Sequence, residues 1–346
     1  MSSRVPPRAG GGPDERAPSD DPARGKPQPD GPTEPVRILY IGGCGRSGST
    51  LLDRILGQIE GLWSVGEIVH IWRRGLGSNQ LCGCGQPFRE CPFWSAVGDI
   101  AYGGWDSVEA GRLVELQHAV DRNRYIPFMI VPWLAPAYRR RMRTYQELLS
   151  RLYRGIAEAS GGNIVVDSAK HASYAFLLRG VPGIDLRVIH LVRDARGVAH
   201  SWTKEIRKPE VTSEIEYMPR YHPARMALRW VSYNLLFHVL RRTHVPSLFV
   251  RYESVVRRPR EEIERILRFG VGHHTHTTLD FIQDDRVFLA STHTVAGNPM
   301  RFQQGPLALR VDDRWRQDMD RTLRRTVGAL TWPLMRHYGY RMRGPA

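Results

Sequence analysis

Four short apolar runs predict β-strands, centred near residues 38, 165, 189 and 249. The runs are rich in β-branched residues and are mostly continuous, which is typical of strands buried on both faces. A segment with helical periodicity follows each run. Strands that alternate with helices predict a mostly parallel sheet with right-handed crossovers and helices on both faces, which is an α/β fold.

Longer helical patterns occupy residues 107–124 and 135–160, and Gly161-Gly162 closes the second. They predict a helical insertion of about residues 68–160 between the first two of these strands. Further helices are predicted over residues 223–243 and 259–269. Residues 206–222 are polar and contain prolines, so we expect a loop or lid there.

Composition separates the first 35 residues from the rest. Residues 1–35 hold 9 of the 24 prolines, 5 glycines and no aromatic residue, which predicts a disordered tail. The tail has five basic and six acidic residues, so its net charge is −1, and residues 36–346 carry 45 basic and 29 acidic residues, or +16. The folded domain, expected over residues 36–346, is therefore the basic part.

Strong positive charge suits a polyanionic partner, such as nucleic acid, an anionic membrane or a phosphorylated small molecule. Charge alone does not choose among them. No apolar run approaches the roughly 20 residues that cross a bilayer, and the N-terminus lacks the apolar core of a signal peptide. These features predict a soluble cytoplasmic protein and leave its oligomeric state open.

The first predicted strand passes into a glycine-rich turn and then into a helix that continues to Gly57. Glycines let successive backbone N–H groups point inward, and the helix adds the positive end of its dipole, so such a turn favours a phosphate. Gly43 and Gly48 keep the spacing of a nucleotide-binding P-loop, but Ser49 stands where that motif has lysine. Arg46 is the cation of this loop. A glycine-rich turn without a ligand is the alternative interpretation.

A second motif follows the strand near residue 189. Arg193 comes directly after the strand, and a helical segment carries Ser201 eight residues later. A guanidinium makes bidentate charge-assisted hydrogen bonds to a phosphate, and a hydroxyl on the helix can add a third. The alternative is a surface ion pair between Arg193 and Asp194.

Together these motifs resemble those of the sulfotransferases that use 3′-phosphoadenosine 5′-phosphosulfate (PAPS). Arg46-Ser47-Gly48-Ser49-Thr50 matches their 5′-phosphosulfate loop, and Arg193 and Ser201 match their 3′-phosphate motif. The resemblance is to the bacterial type, with a motif layout closest to protein-tyrosine sulfotransferases, and covers about residues 36–340. It implies a single sulfotransferase-type domain with a P-loop-like sheet, PAPS as co-substrate held by residues from Gly45 to Thr50, and no required metal.

The resemblance also implies a general base. Glu67 follows Gly66 and lies 21 residues after Arg46, where protein-tyrosine sulfotransferases have a Gly-Glu pair whose glutamate is the proposed base. A carboxylate within hydrogen-bond reach of an acceptor hydroxyl can take its proton. The alternative is a solvated glutamate at the start of a helix.

Lys170 and His171 follow the strand near residue 165. In sulfotransferases a lysine after this strand commonly faces the donor, so Lys170 would stabilise the departing phosphate oxygen while Arg46 holds the phosphosulfate. The cytosolic small-molecule branch of the family uses a histidine base after the corresponding strand, and one residue separates that histidine from the lysine. Here Lys170 and His171 are directly adjacent. Glu67 is therefore the first candidate for the base and His171 the second. Either base candidate, Glu67 or His171, is instead structural in the alternative interpretation, in which Ser168 caps the helix that begins here.

Three further positions bear on the donor. Tyr252 matches a tyrosine that lies near the adenine in the family, although a core position fits it equally. Arg301, in a late loop before Trp315, is a candidate second ligand of the 3′-phosphate. Glu205 departs from the pattern, because protein-tyrosine sulfotransferases have an arginine at that position, so this contact is moved or absent.

Cys82, Cys84 and Cys91 lie close together in the sequence. Three thiolates, with His70 as a fourth ligand, would suit zinc. A disulfide is less expected in a reducing compartment. Buried thiols in a glycine- and proline-rich loop are the simplest interpretation, and we predict no metal.

The implied acceptor is a small molecule, glycan, lipid or peptide with a hydroxyl or amine, and nucleic acid is not expected. Residues 68–160, as an acceptor-side cap, and 206–222 would set its specificity. An ATP-dependent P-loop kinase is one alternative, and the missing Gly-Lys-Ser/Thr argues against it. A non-catalytic polyanion-binding protein is another, supported only by the charge.

Overall fold

The structure is a computed structural model that describes residues 34–211, 215–272 and 278–341. From Pro35 onward the chain forms one compact unit. Of the predicted tail, residues 1–33 lie outside the described residues, and so do residues 212–214 of the predicted lid.

A five-stranded parallel sheet forms the centre of this unit. Its strands are β1 (Val36–Gly42), β2 (Leu62–Gly66), β3 (Ile164–Lys170), β4 (Ile184–Val192) and β5 (Ser247–Arg251). Their order across the sheet is β2-β3-β1-β4-β5. The predicted α/β fold with a mostly parallel sheet is confirmed, and a fifth strand, β2, lies at one edge of the sheet directly before Glu67.

The central strand β1 shows why the sheet is covered on both faces. Ile38 and Tyr40 point into one buried apolar cluster, and Leu39 and Ile41 point into another on the opposite face. Successive side chains of a strand alternate between faces, so a continuous apolar run must be covered on both.

Helices supply those two covers. They are α1 (Ser49–Leu56), α2 (Pro92–Tyr102), α3 (Ala110–Val120), α4 (Ile126–Ile130), α5 (Pro136–Ser160), α6 (Ala172–Leu178), α7 (Ala195–Ser201), α8 (Pro223–Arg241), α9 (Tyr252–Arg257), α10 (Pro259–Gly270), α11 (Trp315–Asp318) and α12 (Arg321–His337). The cluster around Ile38 includes buried residues of α2, α5 and α6, and the cluster around Leu39 includes those of α1, α9 and α10.

The predicted helical insertion contains more breaks than its pattern suggests. A 3₁₀ turn at Ile68–His70 leads into a π-helical segment, Ile71–Gly77, and α2 was not predicted. The prediction over residues 107–124 was too long, because the helix ends at Val120 and a separate 3₁₀ turn, Asn123–Tyr125, follows.

The C-terminal third adds a small antiparallel sheet that the sequence patterns did not predict. It is formed by β6 (Ile282–Gln283), β7 (Arg286–Leu289) and β8 (Gly305–Ala308). The segment between β7 and β8 returns to the carboxyl edge of the main sheet, where Val295 N donates to the Val65 carbonyl at 3.0 Å. Within the described ranges, no helix combines the length and apolar character needed to cross a membrane.

Candidate functional site

A cleft of about 530 Å³ lies at the carboxyl ends of the central strands. Parallel strands bring the loops that follow them to one edge of a sheet, which is where α/β proteins gather their ligands. The cleft brings together most of the residues singled out from the sequence, namely Gly45, Arg46, Gly48, Ser49, Thr50, Glu67, Lys170, His171, Arg193, Ser201 and Tyr252.

The loop between β1 and α1 needs glycine at two positions. Gly43 has φ of 140°, and a Cβ there would lie 2.3 Å from the carbonyl oxygen of Leu191. Gly48 has φ of 88°, and a Cβ there would lie 2.4 Å from the ring of Tyr252. Any larger residue would push the loop away from β4 or from the tyrosine ring. The loop is therefore held close to both.

Arg46 extends from this loop into the cleft, with φ of 71°. Its guanidinium lies 5.0 Å from the centre of the Trp202 ring and donates to Met218 Sδ at 3.1 Å. Trp202 Nε1 also donates to the Gly45 carbonyl at 3.2 Å. Burial lowers the pKa of Arg46. The sequence reasoning missed Trp202, whose one signal is its place directly after Ser201.

Arg193 joins the two candidate phosphate motifs. Its guanidinium donates to the Arg46 carbonyl at 3.1 Å and lies 4.8 Å from the centre of the Tyr252 ring. The suggested ion pair with Asp194 does not form, because Asp194 pairs with Arg196 and accepts from its backbone N–H, capping α7. Arg193 is thus free of its sequence neighbour and faces the cleft.

The carboxylate of Asp312 contacts three basic side chains at the end of the cleft that Arg193 borders. Arg193 Nη2 lies 3.3 Å from its carboxylate, Lys204 Nζ 3.2 Å and Arg314 Nε 2.9 Å. Burial opposes ionisation, but the hydrogen bond from Arg314 and the charges of Arg193 and Lys204 hold the pKa of Asp312 well below its ordinary value. Arg310 and Arg314 line the cleft and were not singled out from the sequence, although both precede Trp315.

Glu67 follows β2 and is buried, so the interpretation as a solvated glutamate is wrong. Lys170 Nζ donates to its Oε1, and His70 Nε2 lies 3.5 Å from its Oε2. Burial raises the pKa of Glu67, but the charge of Lys170, the neighbouring His70 and the hydrogen bond from Lys170 together outweigh it and leave the pKa at about 2. Glu67 is therefore ionised at neutral pH.

Lys170 stands at the end of β3 with φ of 68°, next to Gly42 in the sheet register. This places it beside the start of the β1–α1 loop. The helix after β3 begins after His171, so Ser168 lies within the strand and does not cap it.

Burial lowers the pKa of His171, so the imidazole is neutral near pH 7. His70, His171 and Tyr233 also border a second hollow of about 320 Å³. Asp121 lines this hollow, and its buried Oδ1 has no hydrogen-bond partner among the described residues. The cleft thus continues past the two histidines into a polar recess.

Two predicted donor residues lie elsewhere. The Arg301 guanidinium is buried and donates to the carbonyls of Thr294 at 2.6 Å and Leu81 at 2.7 Å. It holds two chain segments together, while its neighbours Asn298 and Met300 line the cleft. Ser47 is buried beneath the loop, and its Oγ has no hydrogen-bond partner within the described part of the chain.

The suggested fourth residue beside the three cysteines, His70, lies elsewhere. His70 contacts Glu67, and the imidazole beside Cys82, Cys84 and Cys91 belongs to His293. Since 202 positions separate His293 from Cys91, no sequence pattern could have found it.

The fold and the cleft define an α/β protein whose parallel sheet presents a glycine-rich loop, several cations and an ionised carboxylate at one edge. The model of the sulfotransferase family matches residues 39–271. This match spans more than half of the chain, so the chain belongs to the sulfotransferase family, whose members are transferases.

Solved sulfotransferase domains resemble the chain at low identity. One, from the olefin synthase of Synechococcus PCC 7002, is 20% identical, with 92% of this chain and 99% of that chain covered and a TM-score of 0.49. Another, from the curacin biosynthetic pathway, is 15% identical, with 90% and 100% covered and a TM-score of 0.48. The sulfotransferase STF9 from Mycobacterium avium is 13% identical, with 91% and 80% covered and a TM-score of 0.43. Among curated proteins, none matches the sequence significantly.

Proposed function

We propose that this protein transfers a sulfuryl group from PAPS to a hydroxyl or amine of an acceptor. One observation carries the proposal: the Arg193 guanidinium donates to the Arg46 carbonyl at 3.1 Å. The loop that resembles a 5′-phosphosulfate site and the motif that resembles a 3′-phosphate site therefore border the same cleft. A nucleotide with phosphates on both ends of one ribose can reach both.

The residues of the loop fit such an anion. Arg46 lines the cleft, and its Nε is buried without a hydrogen-bond partner among the described residues, although buried polar groups of this kind normally have one. Gly48 precedes α1, and no side chain caps the first N–H groups of that helix. Uncapped N–H groups and the helix dipole both favour a phosphate.

When bound, PAPS supplies the sulfuryl group and leaves as adenosine 3′,5′-bisphosphate. The loop N–H groups and Arg46 hold the phosphosulfate, and Lys170 stabilises the charge that grows on the departing phosphate oxygen. Tyr252 and Arg193 hold the nucleoside and its 3′-phosphate, for which Arg193 exchanges its contact with Asp312. Ser201 adds a hydroxyl at the same end. Positioning and fixed positive charge do the catalysis, and no metal takes part in transfer.

Glu67 is the proposed general base, with His171 as the second candidate. A carboxylate with a pKa of about 2 is a weak base while Lys170 is hydrogen-bonded to it. An anionic donor would compete with Glu67 for the hydrogen bond and the charge of Lys170. The ionised carboxylate would then be stabilised less, and the pKa of Glu67 would rise. Lys170 would then couple donor binding to proton removal.

The polar recess beyond His70 and His171 is the proposed acceptor site. It shares His70 and His171 with the cleft, and His70 contacts Glu67. The unpartnered Asp121 Oδ1 can accept a hydrogen bond from an acceptor hydroxyl. These features favour a polar acceptor from among the small molecules, glycans, lipids and peptides that the family resemblance leaves open.

A transfer assay tests the proposal. The full chain is incubated with PAPS, without added Mg²⁺, and with 4-nitrophenol, a tyrosine peptide or a hydroxylated glycan, and adenosine 3′,5′-bisphosphate is measured by chromatography. We expect its release to depend on an acceptor. Release of ADP from ATP and Mg²⁺, without turnover of PAPS, would instead identify a kinase. Binding without turnover that weakens steeply with salt and ignores the nucleotide would identify a polyanion-binding protein.

A further inference from the structure

Three thiols and one imidazole converge at a point outside the lining of the cleft. The ligand atoms of Cys82, Cys84, Cys91 and His293 all lie within 4.8 Å of one another. Cys91 Sγ lies 3.2 Å from His293 Nδ1, Cys82 Sγ lies 4.0 Å from the same nitrogen, and Cys84 Sγ lies 3.7 Å from Cys91 Sγ.

These separations are close to the edges of a zinc tetrahedron. Zinc bonds of about 2.3 Å to sulfur and about 2.0 Å to nitrogen place two sulfurs about 3.8 Å apart, and a sulfur and a nitrogen about 3.5 Å apart. Thiolate and imidazole ligands in this geometry favour zinc over magnesium or calcium. We infer that Cys82, Cys84, Cys91 and His293 form a zinc site. Because the protein fills all four positions, the site is structural and leaves no position for substrate.

The surrounding chain holds the ligands in place. Trp94 Nε1 donates to the His293 carbonyl at 3.0 Å, and the ring of Phe93 stacks on the imidazole at 5.1 Å. Gly83 N donates to the Thr294 carbonyl at 2.9 Å, and a Cβ on Gly83 would lie 2.4 Å from Thr294 Oγ1. The backbones at Gly83 and Thr294 thus approach closely beside the four ligands. This contact holds Cys82 and Cys84 near His293.

A disulfide explains the cluster less well. All four cysteines of the chain lie in the described residues, and none is disulfide-bonded. Joining Cys84 to Cys91, whose sulfurs are 3.7 Å apart, would leave Cys82 and His293 facing each other without a role. Zinc accounts for all four residues.

The site would fasten one wall of the cleft. His293 lies four residues before Gly297, where an added Cβ would lie 3.5 Å from Glu67 Oε1. Asn298 N donates to Thr50 Oγ1 at 3.4 Å. Zinc would therefore tie the 82–91 loop to the segment that borders both the phosphosulfate loop and the proposed base. Loss of the metal should loosen that wall.

Metal content of the full chain, purified without chelators, tests the inference. We expect about one zinc ion per chain by mass spectrometry. Cys91→Ser and His293→Ala should lose it, while Cys44→Ser and His337→Ala, which alter a cysteine and a histidine outside the cluster, should keep it. His293→Cys should also keep it, since four thiolates bind zinc equally well.

Two further measurements on the wild-type protein test the zinc site even if a variant fails to fold. Wild-type protein reloaded with Co²⁺ should show the absorption bands of tetrahedral thiolate coordination. Denatured wild-type protein, kept free of reductant, should show all four thiols in a thiol assay. A chain with neither zinc nor a tetrahedral Co²⁺ spectrum overturns the inference. Two missing thiols in a metal-free chain would identify a disulfide instead.

Discussion

Two cationic residues of the cleft stand on strained backbone. Arg46 has φ of 71° and Lys170 has φ of 68°. Such left-handed conformations cost a residue other than glycine of order 1–3 kcal/mol, and they cluster at functional sites. Arg46 follows β1, Lys170 ends the adjacent strand β3, and both side chains reach the cleft. The strained backbone at Arg46 and Lys170 accompanies a geometry in which both positively charged side chains point into the cleft.

Glu67→Gln tests the proposed base. We expect kcat to fall by about 10²–10⁴-fold, the usual contribution of a general base, because the amide cannot take a proton. The affinity for adenosine 3′,5′-bisphosphate, measured by calorimetry, should stay within about twofold, since Glu67 does not hold the donor. His171→Asn is the matched variant and should lower kcat by less than about tenfold. The reverse ranking would make His171 the base.

Lys170→Met tests the pairing of Lys170 with Glu67 through acid stability. The pKa of Glu67 is about 2 in the folded chain and 4.5 ordinarily, so the unfolded chain binds the extra proton between these values. This group's contribution is therefore complete above pH 4.5 and is lost as the pH falls toward 2. Without Lys170 the folded pKa rises, and the free energy of unfolding should fall less steeply across this window.

Urea unfolding at a series of pH values from about 5 to 2 measures that slope. Glu67→Gln is the control, because it removes the titrating group altogether and leaves the other carboxylates in place. Equal slopes in the wild type and Lys170→Met would show that Lys170 does not hold down the pKa of Glu67.

At the scale of elements, the β1–α1 loop is fixed by contacts from other strands and helices. Leu191 on β4 limits Gly43, Tyr252 on α9 limits Gly48, and Trp202 binds the Gly45 carbonyl. The shape of the loop therefore depends on packing as well as on its own glycines.

Gly43→Ala should destabilise the fold by about 2 kcal/mol or more, since a Cβ would meet the Leu191 carbonyl oxygen and φ is unfavourable for alanine. Gly111→Ala is the control, because it lies in α3 with nothing near its Cβ position. That change should stabilise by about 0.5 kcal/mol through a less flexible unfolded chain. Urea unfolding of both variants measures the difference, and a Gly43→Ala variant as stable as the wild type would contradict the described loop.

Patterns of apolar residues over short stretches of sequence predicted four of the five strands in the main sheet. The runs that form β1, β3, β4 and β5 are continuous and apolar because both of their faces are covered, so periodicity alone identified them. The short strands β6 to β8 carry too few residues to show a pattern. The helix over residues 107–124 was drawn too long, since the helix runs only from Ala110 to Val120 and a separate 3₁₀ turn follows at Asn123–Tyr125.

Site residues were predictable where they follow a predicted strand. Arg46, Lys170 and Arg193 stand at or just beyond the ends of predicted strands, and the parallel sheet brings them to one edge. Glu67 follows β2, which is not one of the four predicted strands, and was identified through the family resemblance. Residues that depend on distant contacts were not. Arg301 was misplaced because carbonyls of Thr294 and Leu81, met only in the fold, bind its guanidinium.

At the scale of the whole molecule, the excess positive charge lies in the sulfotransferase domain and not in the first 35 residues. Residues 36–346 carry a net charge of +16, and Arg46, Lys170, Arg193 and Lys204 all line the cleft. Cations in a concave site raise the local concentration of an anionic ligand and speed its arrival. The overall charge and the local site thus favour the same class of ligand, a small molecule with several negative charges.

Calorimetry with adenosine 3′,5′-bisphosphate and with AMP tests the central claim, that one cleft binds both phosphate ends of one nucleotide. We predict that the bisphosphate binds at least about tenfold more tightly, the effect of one charge-assisted hydrogen-bonded phosphate. Arg193→Ala should remove that preference, while Arg143→Ala, on the exposed face of α5, should preserve it. Equal binding of the two nucleotides by the wild type, unchanged in Arg193→Ala, would contradict the account.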